Sequence, residues 1–167
     1  LRYEQRLSFA IEARTAELMR DALDLLDRVS GERIRNELFA MLDEERPAPI
    51  LARLDEVGVL TRIHPSLRWD DAVAARLAKV LEPSPRADAV SIIALLCASL
   101  TESEAIAAAS RLRLSHAQIE RVAQVNRLGR MEAQLSEASL KPSAVAHLLD
   151  AFDEEPLRLA RVVFISE

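Results

Sequence analysis

Asp88-Ala89-Val90-Ser91-Ile92-Ile93-Ala94-Leu95-Leu96-Cys97-Ala98-Ser99-Leu100 is the stretch that decides the fold. Wound at 3.6 residues per turn it is apolar on nearly every side, and no charge interrupts it after Asp88. A helix of that kind has to be enclosed by other elements. At 13 residues it is far short of the ~20 that a membrane span needs. The stretch therefore predicts a central buried helix in an all-α fold.

The sequence downstream keeps to the same class. Thr101-Glu102-Ser103-Glu104 has the spacing of a capping box and opens the next helix. Ser115-His116-Ala117-Gln118 repeats the device, with Leu114 and Ile119 spaced as a hydrophobic staple. The helix that follows is expected to run to about Leu135. Pro142 suits the first turn of another, with Val145, Leu148, Leu149 and Phe152 inward. A last helix is expected to begin near Pro156.

Upstream, Glu82-Pro83-Ser84-Pro85 is the clearest break in the chain. Before it, a helix from near Trp69 carries Val73, Leu77, Val80 and Leu81. Pro47 and Pro49 start a helix with Leu51, Leu54 and Val57 inward, and Gly58 stands at its C′ position. Val59 to Pro65 reads as a connector. Ser30 is the expected N-cap of a helix with Glu32 in its first turn, Val29 and Ile34 as staple, and Ile34, Leu38, Met41 and Leu42 on one face. Thr15 is the expected N-cap of the first helix, whose apolar face is Leu18, Ala22, Leu25, Leu26 and Val29. Helices of uneven length joined by short turns predict an irregular multi-helix array, with no internal repeat and no alternating strand pattern.

Composition agrees. Half of the 167 residues are apolar, glycine is scarce and good helix formers dominate. The net charge of −5, with both signs mixed along the chain, is an ordinary solvated surface rather than the footprint of a strong nucleic-acid binder. The one cysteine, Cys97, sits in the apolar run as a core thiol. A single thiol, the lack of a signal peptide and the lack of a membrane span fit a cytoplasmic protein. Leu1 opens and Glu167 closes the chain in mid-pattern, as expected of a piece of a longer protein.

No catalytic constellation emerges. There is no glycine-rich phosphate loop and no Asp-x-Asp pair for two magnesium ions. His64, His116 and His147 lie far apart and none precedes an aspartate, which argues against a metal-dependent phosphohydrolase. Asp43-Glu44-Glu45, Asp70-Asp71 and Asp153-Glu154-Glu155 are expected at helix termini. No catalytic residue and no metal ligand is assigned. One stretch is rich in base and poor in acid: Arg111, Arg113, Arg121, Arg127 and Arg130 stand against Glu120 alone. It is the candidate surface for phosphate contact, and its bland counterpart is a solvated helix that lacks acids.

Two segments carry a resemblance. Arg2-Tyr3 followed by Arg6-Leu7-Ser8-Phe9 resembles the segment after the nucleotide-selecting motif of class II CCA-adding enzymes and poly(A) polymerases, which ends in R-L-G-F; here Ser8 replaces that glycine. Val29-Ser30-Gly31-Glu32-Arg33-Ile34 resembles the same family's neck motif, V-S-x-E-R-I/M. Leu54, Gly58-Val59-Leu60 and His64-Pro65 suit the end of that neck. The resemblance covers about residues 1–68 and implies a neck there, with 69–167 as a helical body and tail. It implies a parent enzyme that adds CCA, A or poly(A) to tRNA or other RNA 3′ ends, using magnesium and ATP or CTP held by a catalytic head outside these residues. No cofactor is expected in the present chain, and no DNA or membrane partner. Arg2 and Arg6 would face RNA, triphosphate or head, while Ser30, Glu32 and Arg33 would fix neck geometry. The competing reading is a stand-alone helical protein-interaction domain with no RNA role.

Overall fold

The structure, a computed structural model, describes residues 4, 9–82, 86–131 and 142–164. Among them every regular element is helical: α1 (Ala13–Asp21), a 3₁₀ helix (Leu23–Arg28), α2 (Gly31–Leu42), α3 (Pro47–Glu56), α4 (Val59–Ile63), α5 (Asp71–Leu81), α6 (Ala89–Cys97), α7 (Glu102–Arg111), α8 (His116–Arg130), α9 (Pro142–Leu149) and α10 (Glu154–Val163). The irregular all-α array expected from the sequence is what forms.

Helix α6 is the centre. All its residues from Val90 to Cys97 are buried, and the Asp88 carboxylate accepts the backbone N–H groups of Val90 and Ser91 to start it. Burial pushes the Cys97 thiol up to about 12, so it stays protonated and acts as a small apolar group. Helix α8 packs across α6, α7 and α10, α10 also covers α5, and α2 lies on α3 and α6. Asn126 of α8 is fully buried, and its amide donates to the carbonyls of Cys97 and Leu100 at 2.8 Å each. Cys97 ends α6 and Leu100 lies in the turn after it, so the amide ties that turn to α8 and supplies donors to carbonyls at a buried helix end. Gly129 lets α8 approach closely: a Cβ there would lie 2.9 Å from the Phe164 ring.

Both expected capping boxes form, Thr101 with Glu104 and Ser115 with Gln118. Ser30 Oγ accepts the Arg33 N–H at 3.3 Å, making it the N-cap of α2. Gly58 takes the left-handed φ of 87° that ends α3. Asp70 caps α5 and Asp71 sits in its first turn. His64 follows α4 and its Nδ1 accepts the Ser66 N–H, while His116 and His147 are exposed.

Several expectations need correction. Glu12, not Thr15, caps α1; its carboxylate accepts the Thr15 N–H at 3.3 Å. The first apolar face does not close onto the core either, since Leu18 and Leu25 are 51% and 55% exposed. The chain tightens from α1 into a 3₁₀ helix after Ala22, and a period of three breaks a stripe read at 3.6. Residues 59–63, read as connector, form α4, and its Leu60 and Ile63 are buried. Five residues are too few to show periodicity. Helix α5 does start near Trp69, at Asp71, and α10 near Pro156, at Glu154, with that proline tolerated in the first turn. Val145, Leu148, Leu149 and Phe152 are half-buried. The expected end of α8 near Leu135 lies outside the described residues.

Candidate nucleic-acid interface

The base-rich stretch begins where α7 ends. Leu114 N–H donates to the Ala109 carbonyl and Arg113 N–H to that of Ser110. This is the Schellman pattern, which needs a left-handed residue at C′. Arg113 supplies it, with φ 52°, the one non-glycine positive φ among the described residues. The carbonyl of Arg113 accepts Arg35 Nη1 of α2 at 2.6 Å. In return, Arg111 Nη2 donates to the carbonyls of Leu26 and Val29 at 3.0 and 3.5 Å. These two arginines lock the end of α7 to the start of α2.

Gly31 sits inside that lock. A Cβ on it would stand 1.9 Å from the Arg111 carbonyl oxygen and 3.1 Å from Arg113 Cγ. Only glycine permits so close an approach. The Arg113 side chain therefore crosses over the first residue of α2. A groove of about 420 Å³ lies here, lined by Asp27, Arg28, Ser30, Gly31, Ser110, Arg111 and Arg113. Asp27 lies 3.5 Å from Arg62, which also pairs with Asp24.

Further along, the arginines face carboxylates. Arg121 Nη2 lies 2.9 Å from both Asp88 and Glu155 and donates to Ser91 Oγ. Burial alone would raise the Asp88 pKa, but bonds from Ser91 and the Arg121 charge outweigh it and hold the carboxyl below its usual range. Arg127 bonds Glu102 and Glu120 at 2.7 Å each, and its guanidinium lies 5.9 Å from the Phe152 ring centre. Arg130 is exposed. The stretch thus does not present five free cations: folding brings acids from α7, α10 and the α6 N-terminus to two of them. Arg2 and Arg6 lie outside the described residues.

In the neck motif, Ser30 is the cap already described. Glu32 is exposed and approaches Arg35 of its own helix at 3.6 Å. The Arg33 side chain is exposed. Sequence reading missed Arg28, Gly31 and Arg35. A glycine opening a strongly capped helix was the one signal available, since glycine there weakens the helix unless another chain segment needs the space.

A second tie joins the two parts of the chain. Ser66 Oγ donates to Glu104 at 2.6 Å. That bond, with those from Thr101, lowers the Glu104 pKa to about 2. Among the described residues, no group of three His, Cys, Asp or Glu side chains is placed to hold a metal ion. No helix of the described residues is long and apolar enough to cross a membrane.

Comparison with known proteins fits this geometry. Residues 8–70 match the family described as "Probable RNA and SrmB- binding site of polymerase A". Over 69 residues the chain is 39% identical to the A-adding tRNA nucleotidyltransferase of Geobacter sulfurreducens, which covers 40% of this chain and 8% of that protein. Over 58 residues it is 43% identical to the CC-adding tRNA nucleotidyltransferase of the same organism, covering 35% and 14%. The fold matches that of the Thermotoga maritima CCA-adding enzyme complexed with tRNA, with a TM-score of 0.72 at 20% identity over 99% of this chain and 43% of that one. A CCA-adding enzyme with CTP gives 0.73 at 22% identity, over 99% and 42%. The present chain thus spans less than half the length of the solved structures it matches, and a smaller share of the two curated relatives.

Proposed function

We propose, on the premise that this chain belongs to the tRNA nucleotidyltransferase and poly(A) polymerase family, that it is the RNA-holding helical part of a cytoplasmic enzyme adding nucleotides to RNA 3′ ends. The observation that carries the reading is the family match over 8–70, with Ser30, Glu32 and Arg33 of the neck motif at the capped start of α2. In this reading residues 1–68 are the neck and 69–167 the body and tail. The Gly31 contact, the Arg35–Arg113 bond and the Ser66–Glu104 bond are the joints between them.

Among the described residues, no three His, Cys, Asp or Glu side chains are grouped as a metal ion would need. The metal, and the chemistry on ATP or CTP that it supports, would belong to a catalytic head outside these residues. What this chain contributes is position. Arginine contacts to phosphate fix an RNA in place without reading its sequence, and a duplex acceptor stem is recognised through its backbone and shape.

The test is titration of the chain with an acceptor-stem minihelix and with a DNA duplex of the same sequence, beside an assay of labelled ATP or CTP incorporation. The expected result is salt-sensitive binding to the RNA, weaker binding to the DNA and no incorporation. Equal failure to bind either would leave the stand-alone interaction domain as the better reading. Incorporation above a buffer control would overturn the assignment of catalysis to another part.

A further inference from the structure

We infer that the groove between Arg28, the first turn of α2 and Arg113 is the seat of a backbone phosphate of the bound RNA; the inference rests on the RNA-holding role just proposed. The argument starts from charge. Arg28 and Arg113 are exposed, no hydrogen bond or ion pair among the described residues engages either guanidinium, and Arg111, which lines the same groove, donates to the carbonyl oxygens of Leu26 and Val29. Carbonyls orient a guanidinium without cancelling its charge. The one carboxylate in the lining, Asp27, lies 3.5 Å from Arg62, which also pairs with Asp24. Three arginines against one aspartate make a local excess of positive charge in a chain of net charge −5.

Shape supports the same conclusion. The missing Cβ of Gly31 lets the end of α7 pack directly on the first residue of α2, which brings the Arg113 side chain to the groove. The Arg35 bond to the Arg113 carbonyl fixes the backbone from which that side chain springs. Ser30 and Ser110 also line it. Each guanidinium offers several N–H donors in a plane, which suits the oxygens of a phosphate. Arg113 also stands at a left-handed position where glycine is the easier residue, and an arginine there places a charge over the groove. An open groove fits a phosphodiester within a polymer.

A phosphate oxygen is common to RNA, free phosphate and a nucleotide triphosphate, so the test separates them. Minihelix affinity is measured at several salt concentrations for the chain, for Arg28→Gln/Arg113→Gln, and for Arg130→Gln, with circular dichroism to confirm folding. Inorganic phosphate and ATP are added as competitors at matched ionic strength. The double variant should lose about tenfold or more in affinity at low salt. Its log–log salt slope should fall by roughly 0.7–0.9, the contribution of one phosphate contact. Arg130→Gln should change less, and neither competitor should displace the RNA beyond the effect of chloride. A folded double variant with unchanged affinity and slope would overturn the groove while leaving the RNA-holding role intact. Displacement by phosphate or ATP at low concentration would assign the groove to a free ligand and overturn the RNA assignment. Absence of any minihelix binding by the unaltered chain would remove the RNA-holding role, and this inference with it.

Discussion

The two ends of the base-rich stretch have opposite fates. At the α7–α8 turn, among the described residues, Arg111 meets only carbonyls and Arg113 passes Gly31 with no acid paired to it. Along α8, Arg121 and Arg127 each hold two carboxylates. In sequence these arginines are alike, separated by a run with one acid. In space the second pair binds helices together, while the first borders an open groove. Positive charge along a chain therefore says little about a surface until the partners that folding brings are known. Asp88, Glu102 and Glu155 all reach α8 from other parts of the fold.

The largest effect should come from the joint beneath the first pair. Gly31→Ala adds a methyl group that would overlap the Arg111 carbonyl, 1.9 Å away. Alanine gains a little as a better helix former, at most about 1 kcal/mol. A backbone oxygen cannot swing aside as a flexible side chain can, so α2 and α7 must part. The expected loss is about 3 kcal/mol, the upper part of the range for overpacking. The Arg35 and Arg111 bonds should loosen with it. Urea unfolding measures the loss, and a midpoint like that of the unaltered chain would mean the two helix ends do not abut.

The second pair should behave as structure only. Arg121→Gln removes ion pairs to Asp88 and Glu155 at a site where the arginine is mostly covered and both carboxylates are about half exposed. Exposed pairs contribute little, and solvent screens these in part, so about 1 kcal/mol is expected. RNA affinity and its salt slope should stay unchanged, in contrast to the Arg28 and Arg113 variants. Arg121→Gln that weakens RNA binding while stability holds would erase the distinction between the two ends.

What could be read in advance follows from the range of each interaction. Helix class, the buried α6, both capping boxes, Ser30 and Gly58 are set by residues three or four apart, so the sequence displays them. The 3₁₀ segment and α4 were missed because each is too short to show a period. The candidate surface was half legible. Arg111 and Arg113 could be picked from local charge, but the cancellation at Arg121 and Arg127 could not. Nor could Arg28 be grouped with Arg113, since they meet only because α7 ends against α2. Family likeness supplied the RNA reading, which composition argued against.

The smallest expected effect has the opposite sign. Among the described residues, two helices end in a left-handed residue: α3 in Gly58, φ 87°, and α7 in Arg113, φ 52°. Glycine meets no Cβ penalty there, whereas an ordinary L residue is disfavoured by roughly 1–2 kcal/mol. Asparagine tolerates this conformation better than arginine. Arg113→Asn keeps the backbone N–H that bonds Ser110 and the carbonyl that accepts Arg35. It removes only the side chain that passes over Gly31. Relief of backbone strain and loss of that contact partly offset each other, so a gain of about 0.5 kcal/mol is expected. RNA affinity should fall severalfold in the same variant. Urea midpoints and minihelix titration on one preparation measure both. A rise in stability with weaker binding would mean that arginine stands at this helix end for its charge, at a cost to the fold. A fall in stability would mean instead that the side chain is part of the packing between α2 and α7, and the two ends of the base-rich stretch would then differ less than their carboxylates suggest.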